Sequence, residues 1–358
     1  MLIIDSEEAG PVPDTGPSNI TRRTVIGGIG ALGAAAVLST GAAAEEAHAR
    51  DPKGVDGKVA LITGTSSGFG RLIALTLART GYEVYASMRH PHRQNAAPAG
   101  VLRRAARGEG LALEVVEIDV RDERSVDSGV RRVLRRAGHI DLLVNNAGIF
   151  YPALLETMTI EQVQEVFETD VFGQLRMNRA VLPAMRSQGE GLIVQLTSGV
   201  GRIAFPFQGA YNGAKWAMEA MAEVSRYELS QSGVDVVIVE PGAYPTDLID
   251  NARILYRDYL RRLSRDDARR RAEYGDLADR VENELQEPSG PVPQEVADAV
   301  VRLAQMPAGR RPLRTLVGAD TELLTEVNAV HQRVQNEIMG LAGYGDLIGV
   351  RPSSGPRG

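Results

Sequence analysis

The sequence predicts an α/β protein: a doubly wound parallel sheet of about seven strands with helices on both faces. Three observations predict it. From Lys58 onward, short runs rich in Val, Ile and Leu alternate with helix-length segments. The runs are continuously apolar rather than alternating in and out, which suits strands buried on both faces. A glycine-rich turn, TGTSSGFG at 63–70, joins the first run to the first helical segment.

In chain order, the strand runs are KVALIT at 58–63, YEVYAS at 82–87, LEVVEI at 113–118, IDLLVN at 140–145, LIVQLT at 192–197, VDVVIV at 234–239 and LRTLVG at 313–318. Between them, helices are expected near 68–80, 98–109, 122–137, 159–187, 209–232 and 293–305. No repeat and no second core is evident. One domain is therefore expected over 55–320, with a charged, helical lid at about 243–290. A C-terminal helix near 320–340 and a loose tail ending SSGPRG occupy 321–358.

Composition narrows the function. The 358 residues are 43% hydrophobic and 24% charged, which excludes a disordered chain, a collagen and a polytopic membrane protein. Cysteine is absent, so no thiolate metal site, disulfide or thiol nucleophile exists. The five histidines are scattered, and no metal centre is expected. A net charge of −6 leaves no footprint for nucleic acid. The arginine-rich stretches at 103–107, 131–136 and 261–271 read as solvated helix faces. Only three lysines, Lys53, Lys58 and Lys215, stand against 37 arginines. A lysine placed where an ammonium is useful is thus unlike the general run of cations here.

The first 49 residues read as an export signal. Arg22 and Arg23 precede a weakly apolar, Gly/Ala-rich run at 25–38, and small-residue sites follow at 42–44 and 47–49. A paired arginine before such a run resembles a twin-arginine leader. The run is short of the roughly 20 residues a spanning helix needs. An exported or periplasmic location is expected, with no stable membrane span in the mature chain. An uncleaved anchor, a functionless extension and a cytoplasmic chain are the alternatives.

Four motifs sit at strand ends. In TGTSSGFG, Gly64, Gly68 and Gly70 let the backbone turn and approach a pyrophosphate at a helix N-terminus, with Ser66 and Phe69 in the same turn. A tight turn with no ligand is the bland reading. NNAG at 145–148 leaves the fourth run. Tyr211 and Lys215 lie at i and i+4, on one helix face, thirteen residues after Ser198. An ammonium beside a phenol favours the phenolate, making tyrosine a usable acid/base near neutral pH. Pro241 and Gly242 leave the sixth run, with Thr246 four residues on.

Together these motifs resemble the short-chain dehydrogenase/reductase family, in its single-domain branch, over about 57–318. The resemblance implies a Rossmann-like fold and a nicotinamide cofactor. It implies that Tyr211 exchanges the proton with an alcohol or carbonyl oxygen, that Ser198 hydrogen-bonds that oxygen, and that Lys215 holds the nicotinamide ribose and depresses the tyrosine. Asn146, Ala147 and Gly148 would line the adenosine ribose. Asp119, with Val120 beside it, would contact the adenine, unless Asp119 is only a helix cap. Thr246 would touch the carboxamide. Long helices at 159–187 and 209–232 would form the bundle of a homodimer or homotetramer.

One position departs from the family. Where it has Asn, this chain has Asp170, in Asp-Val-Phe-Gly. An ionised Asp170 would favour the protonated Lys215 and oppose ionisation of Tyr211; the alternative is that Asp simply substitutes in the helix and catalysis survives. The end of the second run, Ala86-Ser87-Met88-Arg89, carries no acid for a ribose 2′-hydroxyl. Arg89 could instead hold a 2′-phosphate, favouring NADP(H), with NAD(H) possible. In the lid, Tyr244, Leu248, Ile254, Leu255 and Tyr259 could line a lipophilic pocket opposite Val200, Phe205 and Phe207; the alternative is that they are only the packing face of the lid helix. The expected activity is interconversion of a lipophilic secondary alcohol and a ketone. The rival is a dinucleotide-binding sensor or scaffold without turnover.

Overall fold

The structure is a computed structural model that describes residues 57–286, 290–319 and 321–350. The export signal expected at 1–49 and the tail expected at 351–358 lie outside the described residues. Seven strands form one parallel sheet: β1 (Val59–Ile62), β2 (Glu83–Met88), β3 (Leu113–Glu117), β4 (Leu142–Asn145), β5 (Gly191–Leu196), β6 (Val234–Pro241) and β7 (Arg314–Val317). Their order is β3-β2-β1-β4-β5-β6-β7. The expected doubly wound, Rossmann-like sheet is thus present. Every residue of β1, β4 and β6 is buried, the reason these runs lack polar alternation.

The helices are α1 (Gly68–Arg79), α2 (Ala96–Glu109), α3 (Glu123–Ala137), α4 (Ile160–Asp170), α5 (Phe172–Gln188), α6 (Gly209–Leu229), α7 (Asp247–Arg262), α8 (Arg265–Glu273), α9 (Asp276–Asp279), α10 (Gln294–Gln305) and α11 (Glu322–Leu341). On one sheet face, Ile73 and Leu77 of α1, Leu102 of α2 and Val296 and Val300 of α10 close over β1 and β4. On the other, Val126 and Val130 of α3, Met177 and Val181 of α5 and Ala222 of α6 do the same. Arg132 and Arg136 of α3 pair with Glu114 at the sheet edge, at 2.8 and 3.1 Å, as a solvated face would. Among the described residues, no helix is long and apolar enough to cross a membrane.

The segment expected as one helix over 159–187 is two. The chain breaks at Val171, between α4 and α5. The interruption is slight: Val171 keeps helical φ and ψ of −94° and −62°, and its amide still bonds the Phe167 carbonyl at 2.9 Å. Two tertiary contacts flank it. Asp170 turns its carboxylate inward, where Oδ1 accepts the Ile149 amide at 2.8 Å. Gly173 lies so close to Val120 that a Cβ there would stand 2.9 Å from Val120 Cγ2.

Strand order reverses between β1 and β4. The connections from these two strands leave in opposite directions and open a crevice at their carboxyl ends, where ligands bind in open α/β sheets.

Candidate active site

A continuous cavity of about 1250 Å³ runs along that crevice. Its inner part is built from the turn after β1. Gly64 and Gly68 take φ of +68° and +50°, a region costly for any residue with a Cβ. They turn the chain so that Ser66, Gly68 and Phe69 line the cavity and α1 points its N-terminus into it. Ser67, at the cap, makes no side-chain bond to the first-turn amides of α1. Those N–H groups are therefore free to take an anion, and the helix dipole favours one.

Gly70 is a correction: it was expected to touch the cofactor, and it does not line the cavity. It is buried beneath the turn, where a Cβ would collide with Asn146 Nδ2 and the Gly64 carbonyl. Its job is to let α1 pack this close. Asn146 is also busier than expected. Its Nδ2 donates to the carbonyls of Thr63 (2.8 Å) and Gly64 (3.1 Å). The amides of Asn146 and Ala147 both donate to Thr63 Oγ1 at 3.0 Å. Asn146 thus staples β4 to β1, while it, Ala147 and Gly148 line the cavity. Thr63, the first residue of TGTSSGFG, does not line the cavity; its hydroxyl holds the junction of β1 and β4, a role the sequence reading did not give it.

Arg89, Asp119 and Val120 line the far end of the inner part. Asp119 does not cap α3; Asp122 does, accepting the amide of Arg124 at 2.9 Å. Asp119 accepts the Arg121 amide at 3.0 Å and faces the cavity. Arg89 follows β2 directly and is exposed, and its guanidinium has no ion-pair partner among the described residues.

The reactive groups cluster where the cavity widens. Ser198 follows β5, and its hydroxyl donates to the Pro241 carbonyl at 3.4 Å and accepts the Val200 amide at 3.3 Å. Tyr211 and Lys215 share one face of α6, with Lys215 Nζ 5.2 Å from the centre of the tyrosine ring. Phe150 packs edge-on against that ring, with centroids 5.1 Å apart. Lys215 is buried and donates to the Leu196 carbonyl at 3.4 Å. Asp170, also buried, sets Oδ2 3.2 Å from Lys215 Nζ. That oxygen accepts no well-aligned hydrogen bond.

The electrostatics run against the expected net depression of the tyrosine. Burial pushes the Tyr211 phenol up; Lys215 and the Ser198 hydroxyl pull it down, and Asp170 adds to the rise. The net direction is upward, because the dry setting outweighs the ammonium. Burial works against the Lys215 ammonium, but the Tyr211 oxygen and Asp170 hold its pKa above the ordinary lysine value. Burial likewise raises the Asp170 carboxyl, against the pull of Lys215.

Pro241, Gly242 and Thr246 border the cavity beyond β6. Thr246 caps α7, its hydroxyl accepting the Leu248 amide at 3.4 Å. The outer wall is apolar: Val200, Ile203 and Phe205 face Leu248, Ile254 and Leu255 of α7. Tyr244 lines the cavity, packed edge-on against Phe69 at 5.4 Å. Tyr259 and Phe207 do not reach it. Both join a separate core with Tyr256, and the Tyr259 hydroxyl is 2.5 Å from Thr157 Oγ1. Ile203, Ile249 and Leu324 line the cavity without having been expected there. Their apolar character is shared with every packing residue nearby, so nothing in the sequence marked them.

The sequence pattern of the short chain dehydrogenase family matches residues 58–254. Retinol dehydrogenase 8 of Bos taurus is 33% identical over 262 residues, covering 72% of this chain and 80% of that one. Among solved structures, an alcohol dehydrogenase from Thermococcus sibiricus complexed with 5-hydroxy-NADP is 26% identical, with a TM-score of 0.58, over 74% of this chain and 97% of that one. A 3-ketoacyl-(acyl-carrier-protein) reductase from Brucella melitensis complexed with NADH has the same identity, 26%, and TM-score, 0.58, over 74% of this chain and 98% of that one.

Proposed function

Because the chain belongs to the short chain dehydrogenase family, we propose that it is an oxidoreductase interconverting a lipophilic secondary alcohol and a ketone, with NADP(H) favoured over NAD(H). The observation that carries this reading is the Tyr211–Lys215 face of α6, set beside Ser198 where the glycine-turn cradle opens into an apolar cavity. The uncapped amides of α1 and the positive-φ glycines suit a dinucleotide pyrophosphate. A bound nicotinamide would supply or accept the hydride. In the reductive direction Tyr211 gives its hydroxyl proton to the substrate oxygen as the carbonyl carbon becomes an alcohol carbon; the oxidative direction returns that proton to Tyr211. Ser198 steadies the substrate oxygen, and the Lys215 charge stabilises the phenolate left behind. The preference for NADP(H) rests on Arg89, whose planar fork suits a 2′-phosphate, and on the lack of an acid at the end of β2. The lipophilic substrate rests on the outer wall, and the likeness to a retinol dehydrogenase supports it.

The Asp170–Lys215 pair at 3.2 Å favours a second reading, a dinucleotide-binding protein without turnover. Assaying ketones and alcohols by nicotinamide absorbance separates the two, with Tyr211→Phe as the control. The enzyme reading expects turnover that falls at least about a hundredfold in the variant while dinucleotide affinity persists. Dinucleotide binding with no turnover on any ketone or alcohol supports the second reading, and near-normal turnover in Tyr211→Phe overturns the role of Tyr211.

Two further parts of this reading concern the whole protein. Exposed Phe172, Leu175, Trp216 and Val224 give α5 and α6 an apolar outer face suited to a homodimer or homotetramer. Residues 1–49 serve as a twin-arginine export signal. Sequencing the N-terminus of protein recovered outside the inner membrane checks this: a start near Glu45 or Arg50 is expected, and an intact Met1 on cytoplasmic protein overturns it.

A further inference from the structure

α11 lies beyond residues 58–254, the stretch that matches the family pattern. It nevertheless reaches the reactive cluster. Leu324, in its first turn, lines the same cavity as Tyr211 and Ser198. A Cβ on Gly199 would stand 2.9 Å from Leu324 Cδ1, so the leucine rests directly on the glycine that follows Ser198. Ile203, Ile254 and Leu255 line the same cavity.

The helix is fastened by polar ties one and two turns further on. Asn328 Nδ2 donates to Glu240 Oε2 at 2.6 Å, and Asn328 Oδ1 accepts from Arg202 Nε at 2.9 Å. His331 Nε2 is 3.1 Å from Glu223 Oε2. Leu324, Asn328 and His331 fall at i, i+4 and i+7, one face of a helix. Glu240 is fully buried and immediately precedes Pro241 and Gly242. Asn328 therefore registers α11 against the strand that carries the inner edge of the site.

We propose that Leu324 is a specificity-determining residue that limits the length of the apolar chain the cavity accepts, and that Asn328 is the positioning residue that holds it there. The inference rests on the oxidoreductase reading above. Its substrates are ketones and secondary alcohols whose reacting carbon sits at Ser198 and Tyr211, with an unbranched hydrocarbon arm running toward α11. Leu324→Ala removes three carbons from the wall; Leu324→Phe adds bulk.

The test is the profile of kcat/KM across unbranched 2-ketones of increasing chain length, measured with whichever reduced nicotinamide the wild type uses. Leu324→Ala should move the optimum to longer chains and Leu324→Phe to shorter ones, each changing the long-to-short preference by about tenfold, a usual size for one or a few methylenes in an apolar pocket. Asn328→Leu should raise KM for the longest ketones while leaving kcat for the shortest unchanged, a split that general loosening of the fold would not give. Turnover with the same chain-length profile in both Leu324 variants overturns the role of Leu324. Absence of turnover on the whole series by the wild type, with dinucleotide binding intact, overturns the oxidoreductase reading itself.

Discussion

The two halves of this molecule build their share of the site by different means. On the cofactor side, from β1 to β4, the cavity-lining residues come in short stretches, the glycine turn, the Asp119 turn and the Asn146–Gly148 segment, each following its own strand. The Asn146–Thr63 bond, spanning 83 residues, and the close fit at Gly70 lock these stretches together. Toward β7 and α11, charged and polar side chains bridge similar separations. Arg314 reaches Glu219 over 95 residues and Asn328 reaches Glu240 over 88. The cofactor half therefore depends on close fit around its glycines, and the substrate half on side-chain pairing in a dry setting.

The largest effect expected on the cofactor side is from Gly70→Ala. Its Cβ would meet the Gly64 carbonyl and Asn146 Nδ2, and the carbonyl cannot swing away. A loss of about 3 kcal/mol in unfolding free energy is expected, the upper part of the usual range for overpacking. Denaturant titration measures it. A variant as stable as wild type would mean that the turn has slack, and that space is not what governs this half.

Arg89→Ala should weaken NADP(H) binding by about thirtyfold, or roughly 2 kcal/mol, with little effect on NAD(H). Fluorescence titration of both dinucleotides decides it. Equal wild-type affinities for the two would remove the argument for a 2′-phosphate contact.

On the substrate side, Glu240→Gln should stabilise. Burial and nearby Glu219 push the Glu240 carboxyl up to about 7 from 4.5, against Arg314 and Arg202. Between those two pH values the folded chain holds a proton that the unfolded chain has lost. That contribution to stability is whole below about 4.5 and disappears as the pH rises through about 7. The variant should gain on the order of 1–2 kcal/mol over wild type at pH 8 and little at pH 5. A Tm difference that does not vary with pH would show that Arg314 keeps the carboxylate charged.

The smallest effect expected is a shift of pH profile. Asp170→Asn keeps the shape of the side chain and removes its charge. With Asp170 no longer raising Tyr211, the phenol should ionise at lower pH, and the rising limb of alcohol oxidation should move down the pH scale. Stopped-flow or steady-state rates across pH would follow it; an unmoved limb would mean that Asp170 carries no charge in the working site.

The same contrast explains what could be read from the sequence. The sheet, its helices and the cofactor-side residues were legible because they depend on local pattern: apolar runs, glycines at a turn, Tyr and Lys one helical turn apart. Gly70 was placed correctly but given the wrong task, because a glycine needed for packing looks the same as one needed for a ligand. The break at Val171 was missed because 159–187 has helical character throughout and Val171 itself keeps helical φ and ψ. Tyr259 and Phe207 fell to the packing alternative, and Leu324 was overlooked, for one reason. An apolar side chain carries no sign of whether it faces a core or a cavity. The net rise of the Tyr211 phenol was equally hidden, since it depends on burial that no spacing reveals.

Arg314 has a consequence for how the protein comes into being. It sits on the last strand, where its guanidinium binds Glu219 at 2.8 Å and Glu223 at 2.6 Å and lies 3.8 Å from Glu240. A ribosome releases all three glutamates long before it releases their common counter-ion. Until then, the interior of α6 has acidic groups facing a hollow, and water must stay to solvate them. The stretch below Tyr211 and Lys215 dries only when β7 docks beside β6. A chain that ended short of Arg314 would leave Glu219 and Glu223 without their common counter-ion.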